Sequence, residues 1–201
     1  MLWPEDDFER DEVLCINFVN TVSWRGKPKP TEHLSNLESW LAWAKEEGLA
    51  SEEAVTGLGA RDAGEATAGF ERAIEFREAL YNFLKAFGRS EDPPAKDRLL
   101  VQDVLGRAMG RLKLIESGGG WTFELESSSA DWDGLLFPCA LSAAQLVAGP
   151  WASRLRVCNR PECEWLFMDN TKNRSRKWCD MTTCGNVVKA RRSYARRKAK
   201  V

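Results

Sequence analysis

The chain has 201 residues, 43% of them hydrophobic and 29% charged, a globular composition with room for one ordinary domain and one small one. No apolar run approaches the roughly 20 residues needed to span a bilayer, and the acidic opening MLWPEDDFERDE lacks the features of a secretory signal. Membrane and secreted classes are therefore set aside, and a cytoplasmic location is expected. The net charge of −1 hides a division: residues 154–201 carry 14 Lys and Arg against 4 Asp and Glu, a balance of +10, and residues 1–153 carry 15 against 26, a balance of −11. An acidic body carrying a basic module is the expectation, with the module as the part that seeks an anion.

Taken in chain order, Leu14, Cys15, Phe18, Val19 and Val22 recur at helical intervals and predict a helix over 11–24. The GKPKP segment at 26–30 ends it. Ser35 and Glu38 suggest a capping box for a second helix carrying Leu37, Trp40, Leu41 and Ala44, with Gly48 as its C-terminal stop. The strongest helical stripe runs over 67–87 through Phe70, Ala73, Ile74, Leu80, Tyr81, Leu84 and Phe87. Leu100, Val101, Val104, Leu105 and Ala108 mark another helix after EDPPAKD. The period then drops to two at Trp121, Phe123 and Leu125, and the glycines at 118–120 turn that strand back onto 111–115 as a hairpin. Residues 132–150 read as a buried helix kinked near Pro138. The expected fold is mainly α with a small β-hairpin (α+β): a multihelical N-terminal domain over 1–153 and a small four-cysteine zinc finger over 154–201 that ends in a basic helix.

Four of the six cysteines fall in two pairs of equal spacing, Cys158-x4-Cys163 and Cys179-x4-Cys184, with fifteen residues between. Each pair brackets a tight turn, so two sulfurs converge, and the intervening segment brings both points around one tetrahedral ion. The expectation is one structural Zn2+ per chain. A module of this size buries too little surface to fold alone, and a zinc contributes roughly 10–16 kcal/mol. Trp165, Phe167 and Trp178 would form its apolar core. Two disulfides or an iron–sulfur cluster are the competing readings of the four thiols. A catalytic zinc is disfavoured because four thiolates close the shell and the one histidine, His33, lies far away in sequence. Cys15 and Cys139 read as buried core thiols.

After Cys184 the sequence GNVVKARRSYARRKAK predicts a helix over 186–200. Lys189, Arg192, Arg196 and Lys200 recur along one face, Arg191, Arg197 and Lys198 also project, and Val188 and Tyr194 are assigned to contact the module. A second cluster, Lys172, Arg174, Arg176 and Lys177, lies between the thiol pairs. A metal holding two cationic surfaces together makes a phosphate clamp, with Asn173, Asn186 and Ser193 adding hydrogen bonds.

The segment LRVCNRPECEWLFMDNTKNRSRKWCDMTTCGNVVKARRSYARR resembles the CGNR zinc finger of bacterial proteins, and LCINFVNTVSWRG with ESWLAWAKEEGL resembles the start of the ABATE domain that precedes it. The resemblance implies a stress-induced transcription regulator, with Cys158, Cys163, Cys179 and Cys184 as metal ligands. Val187 stands where the finger's name-giving Arg would be. For the body the resemblance suggests a sensor or interaction domain, and Asn17, Asn20, Thr21, Trp24 and Arg25 are candidate ligand-binding residues. The same residues also read as hydrogen-bonded core groups or helix caps.

DNA is thus the expected partner, with the body sensing a small-molecule signal or forming a homodimer. RNA binding or protein–protein interaction through the same finger is the alternative. An enzyme is not expected: there is no phosphate loop, no Ser–His–Asp order and no open metal site, and the GGGW at 118–121 lacks a following P-loop Lys.

Overall fold

The computed structural model describes residues 13–126 and 131–198. Seven α-helices are formed among them: α1 (Leu14–Val19), α2 (Leu37–Glu46), α3 (Glu52–Gly59), α4 (Ala63–Arg89), α5 (Ala95–Met109), α6 (Phe137–Ala148) and α7 (Asn186–Lys198). Strands occur as three antiparallel pairs: β1 (Val22–Ser23) with β2 (Thr31–Glu32), β3 (Leu112–Ser117) with β4 (Gly120–Leu125), and β5 (Leu155–Val157) with β6 (Leu166–Met168). The fold is mainly α, with a multihelical body and a cysteine-rich unit that ends in a helix.

The long helix α4 organises the body. Its stripe of Ala73, Phe76, Leu80 and Leu84 is buried and meets α1, α5 and α2. Phe18 of α1 sits between Trp43 and Phe76, with ring centroids 5.1 and 6.2 Å away. Trp40 stacks on Trp132 at 5.7 Å. Trp132 in turn lies flat on α4 where Gly69 has no side chain; a Cβ there would stand 2.6 Å from the ring. Burying each such large apolar side chain is worth about 1.5–3 kcal/mol. Cys15 and Cys139 are fully buried in this core, and burial pushes the Cys15 thiol up to about 12 and Cys139 well above its ordinary value.

Several elements depart from the sequence reading. The first helix stops at Val19 rather than running to 24, and residues 11 and 12 lie outside the described residues. Asn20 leaves the helix to bond the finger, and the chain then forms β1, the GKPKP loop and β2, a hairpin that two-residue strands hide from any periodicity. Helix α3 has no counterpart in the sequence reading; Ser51 caps it, but it buries only Ala54 and Leu58. The capping box of α2 is one residue on, between Asn36 and Ser39 rather than Ser35 and Glu38. Pro138 opens α6 instead of kinking it, because a short 3-10 turn over Asp133–Leu135 absorbs the preceding residues. Gly48 does stop α2: at φ +70° its amide bonds Lys45 and Leu49 reaches back to Ala44. The hairpin around the 118–120 glycines forms as expected.

The core continues across residue 153. Leu155, Val157, Leu166 and Met168 of β5 and β6 are buried in the same cluster as the body helices. The cysteine-rich unit is therefore seated on the body through its first hairpin.

Candidate metal centre and basic surface

Two tight turns carry the sulfurs. In the first, the Cys163 amide bonds the Arg160 carbonyl at 2.9 Å and the Cys158 amide bonds Trp165 at 2.8 Å. In the second, the Asp180 carboxylate accepts from the Thr183 amide at 2.6 Å and hydroxyl at 2.7 Å, opening one wide turn over Met181–Gly185. Arg160 joins the two by donating to the Thr183 carbonyl at 2.6 Å. Gly185 is needed where the wide turn meets α7, since a Cβ there would lie 2.4 Å from Met181 Sδ and 3.3 Å from the Trp178 ring.

The four Sγ atoms of Cys158, Cys163, Cys179 and Cys184 all lie within 4.8 Å of one another. Cys163 and Cys179 are 3.6 Å apart, and Cys179 and Cys184 3.8 Å. A disulfide needs about 2.05 Å, and all six cysteines are free. A tetrahedral ion with Zn–S near 2.3 Å sets its sulfurs about 3.8 Å apart, so the donor set fits one zinc. Several irons would spread the thiolates over different metal atoms. The electrostatics point the same way. Thiols of Cys163 and Cys179 donate to Cys158 and pull it down to about 2, while the hydrogen bond with Cys158 pushes Cys163 up to about 12 and Cys179 higher still. One thiolate forms readily and opposes the rest, a conflict that a divalent cation relieves. With zinc bound, the chemistry is structural: a closed four-thiolate shell cross-links the two turns and leaves no position for a reacting water.

Around the sulfurs lies the expected small core, Phe167, Trp165 and Trp178, joined by a residue of the body, Trp24. The body grips the finger at several points. Asn20 donates to the Leu166 carbonyl at 2.9 Å and accepts from the Leu166 amide at 3.2 Å. Trp24 adopts φ +59° and lies 4.7 Å under the Arg160 guanidinium. Gly26 passes so close to Pro161 that a Cβ would stand 1.8 Å from its carbonyl oxygen. From α4, Tyr81 donates to the Glu164 carbonyl at 3.1 Å, and Lys85 and Arg89 pair with the Glu164 carboxylate at 2.9 and 3.2 Å. The ion pairs thus join an acid of the finger to bases of the body, leaving the basic helix out of the seam.

The candidate ligand residues separate into two groups. Asn17, Asn20 and Thr21 border a cleft of about 470 Å³ between α1, the end of α2 and the finger. Trp24 packs with the zinc turns. Arg25 is buried against α4, pairing with Glu78 at 2.6 Å and lying 3.8 Å over the Tyr81 ring. Burial opposes ionisation of Glu78, yet its bonds with Arg25 outweigh that and hold it below the usual carboxylate range. Thr21 and Glu32 meet Arg77, a fully buried cation whose bonds to Glu32 measure 2.7 and 2.6 Å.

The basic residues also separate. Arg176 faces inward, donating to the Trp178 and Cys179 carbonyls and lying 4.9 Å over Phe167. Arg191 pairs with Glu162, which its hydrogen bond holds down to about 2. Arg174 bonds Ser153. Lys189 sits 5.6 Å over Trp178, while Lys172, Lys177, Asn186, Arg192, Arg196 and Arg197 are exposed; none of the five cations among these six is ion-paired among the described residues. Helix α7 buries no residue, and Tyr194 is 68% exposed rather than packed on the finger as expected; Lys200 lies outside the described residues. Asp169, which sequence reasoning passed over, shapes the basic loop. Fully buried, it accepts from the Thr171 amide and hydroxyl at 3.0 and 2.5 Å and from the Arg176 amide at 2.8 Å. The D-x-T pattern of an Asx turn was the available signal.

No helix among the described residues is long and apolar enough to cross a membrane. No curated protein matches the chain. Residues 154–197 match the model of the CGNR zinc finger, and residues 12–150 match ABATE, described as "Putative stress-induced transcription regulator". The chain belongs to the ABATE family and carries a C-terminal CGNR zinc finger.

Proposed function

We propose that the protein is a zinc-dependent DNA-binding regulator in which Cys158, Cys163, Cys179 and Cys184 hold one Zn2+ and α7 with the Lys172–Lys177 loop contacts nucleic acid. The observation that carries this reading is the exposure of α7. It is a 13-residue helix with no buried residue, about 20 Å long and narrow enough for a major groove some 12 Å wide. The four acids of the finger are engaged elsewhere: Glu162 with Arg160 and Arg191, Glu164 with the body, and Asp169 and Asp180 with local amides. The stripe of Lys189, Arg192 and Arg196 therefore keeps its charge for phosphates, and Asn186 stands at its start. Arg176 and Arg191 act by holding the basic surface in shape. Val187 removes one cation from this surface, and Arg192 and Arg196 remain the strongest anchors. The domains so defined are 1–153 for sensing or assembly and 154–201 for binding, in a bacterial cytoplasm.

Fluorescence anisotropy of zinc-loaded protein with duplex DNA across a salt series tests the reading. Log affinity falls with log salt at about −0.9 per neutralised phosphate, and Arg192→Glu with Arg196→Glu removes binding. A zinc-loaded wild-type chain that leaves duplex DNA free at about 50 mM salt rules it out. A second reading, binding of single-stranded RNA, draws on Tyr194, whose exposed ring on a basic helix suits stacking on an unpaired base. Tyr194→Ala then weakens RNA binding and spares duplex DNA.

A further inference from the structure

The cleft between body and finger has a composition of its own. Its body wall is one face of α1, Val13, Ile16, Asn17 and Asn20, together with Trp43 and Glu47 of the α2 terminus. Trp165, Phe167 and Met168 form the finger wall, where Cys179 also opens onto the cleft. Trp43 and Glu47 are one helical turn apart, so the indole and the carboxylate project side by side. Glu47 is half-buried, and its partner is the Asn17 amide at 3.3 and 3.4 Å; no Lys or Arg pairs with it among the described residues. A partly desolvated carboxylate without a cation beside aromatic rings is a costly arrangement that a cationic guest relieves. On the finger wall, Cys179 belongs to a thiolate set that stays net negative around a divalent ion, and the Arg176 guanidinium is already taken by two carbonyls.

We propose that this cleft binds a small organic cation, an amine or quaternary ammonium with an apolar or aromatic body, whose charge meets Glu47 and whose body lies against Trp43, Trp165 and Phe167. A volume of about 470 Å³ falls within the range of small-molecule sites. The guest would touch both α1 and β6 and so strengthen the seam that Asn20 begins. Binding at this site is independent of what α7 recognises.

Calorimetric titration of the zinc-loaded full chain tests it with tryptamine, 2-phenylethylamine and benzyltrimethylammonium, each against a neutral or anionic counterpart: tryptophol, 2-phenylethanol and 3-phenylpropionate. At least one cation saturates and binds about tenfold more tightly than its counterpart. Glu47→Gln, checked by circular dichroism and zinc content to keep its fold, loses that tenfold preference. Phe167→Leu weakens cation and counterpart together. No saturation by any of the three cations, equal affinity for the uncharged partners, or an unchanged preference in Glu47→Gln overturns the proposal.

Discussion

Asn20 serves the finger as a short strand would. Its amide both donates to and accepts from the Leu166 backbone, closing the open edge of β6. Asn20→Ala leaves a buried amide and carbonyl unpaired, and a loss of about 2 kcal/mol is expected in urea unfolding, with zinc content unchanged and hydrogen exchange at Leu166 accelerated. Arg77 carries more, because its removal strands Glu32 and Thr21 against α4. Arg77→Ala should cost about 3–5 kcal/mol by the same measurement. Neither role was legible. The sulfurs were, since their spacing alone makes them converge. The partners of Asn20 and Arg77 lie 146 and 45 residues away, and a lone polar residue in an apolar stretch does not say what it bonds. Gly26 reads in sequence as a turn glycine, and only the docked finger explains why no side chain fits.

Elements were readable in proportion to how much one face of each is buried. α4, with ten buried residues, shows a clear stripe. α3, with two, shows none, and β1 and β2 are too short for a period. The metal turns were legible as spacing, whereas the basic loop depends on Asp169, whose bonds form only once the chain has folded back. Carboxylates that tie elements together also set the acid limit of the fold. Asp133 joins the turn before α6 to Arg72 of α4 and Arg107 of α5. Burial opposes its ionisation, but the bonds from those arginines win and hold it below its ordinary value; Glu78 behaves alike. A depressed carboxylate stabilises the fold above its unfolded pKa and loses that contribution as pH falls through the folded one. Stability by chemical denaturation should therefore be nearly level between about pH 7 and 5 and decline below about pH 4. A decline that begins near pH 6 would show that these pairs are not the acid limit.

Across the whole molecule, the charge division seen in sequence becomes a spatial one. The acidic body meets the finger through Glu164, Tyr81 and Asn20, and α7 stands clear of that seam. Because β5 and β6 lie in the common core, loss of the metal should reach beyond the finger. Cys163→Ser is expected to abolish zinc binding and also lower the melting temperature of the helical body; an unchanged body transition would mean that the two units fold separately. The four-sulfur centre underlies all of this. Its most direct test is zinc content of the purified chain combined with X-ray absorption at the zinc edge. One zinc per chain is expected, with four sulfur neighbours near about 2.3 Å. A chain that carries no stoichiometric zinc, or a shell that includes nitrogen or oxygen, would contradict it.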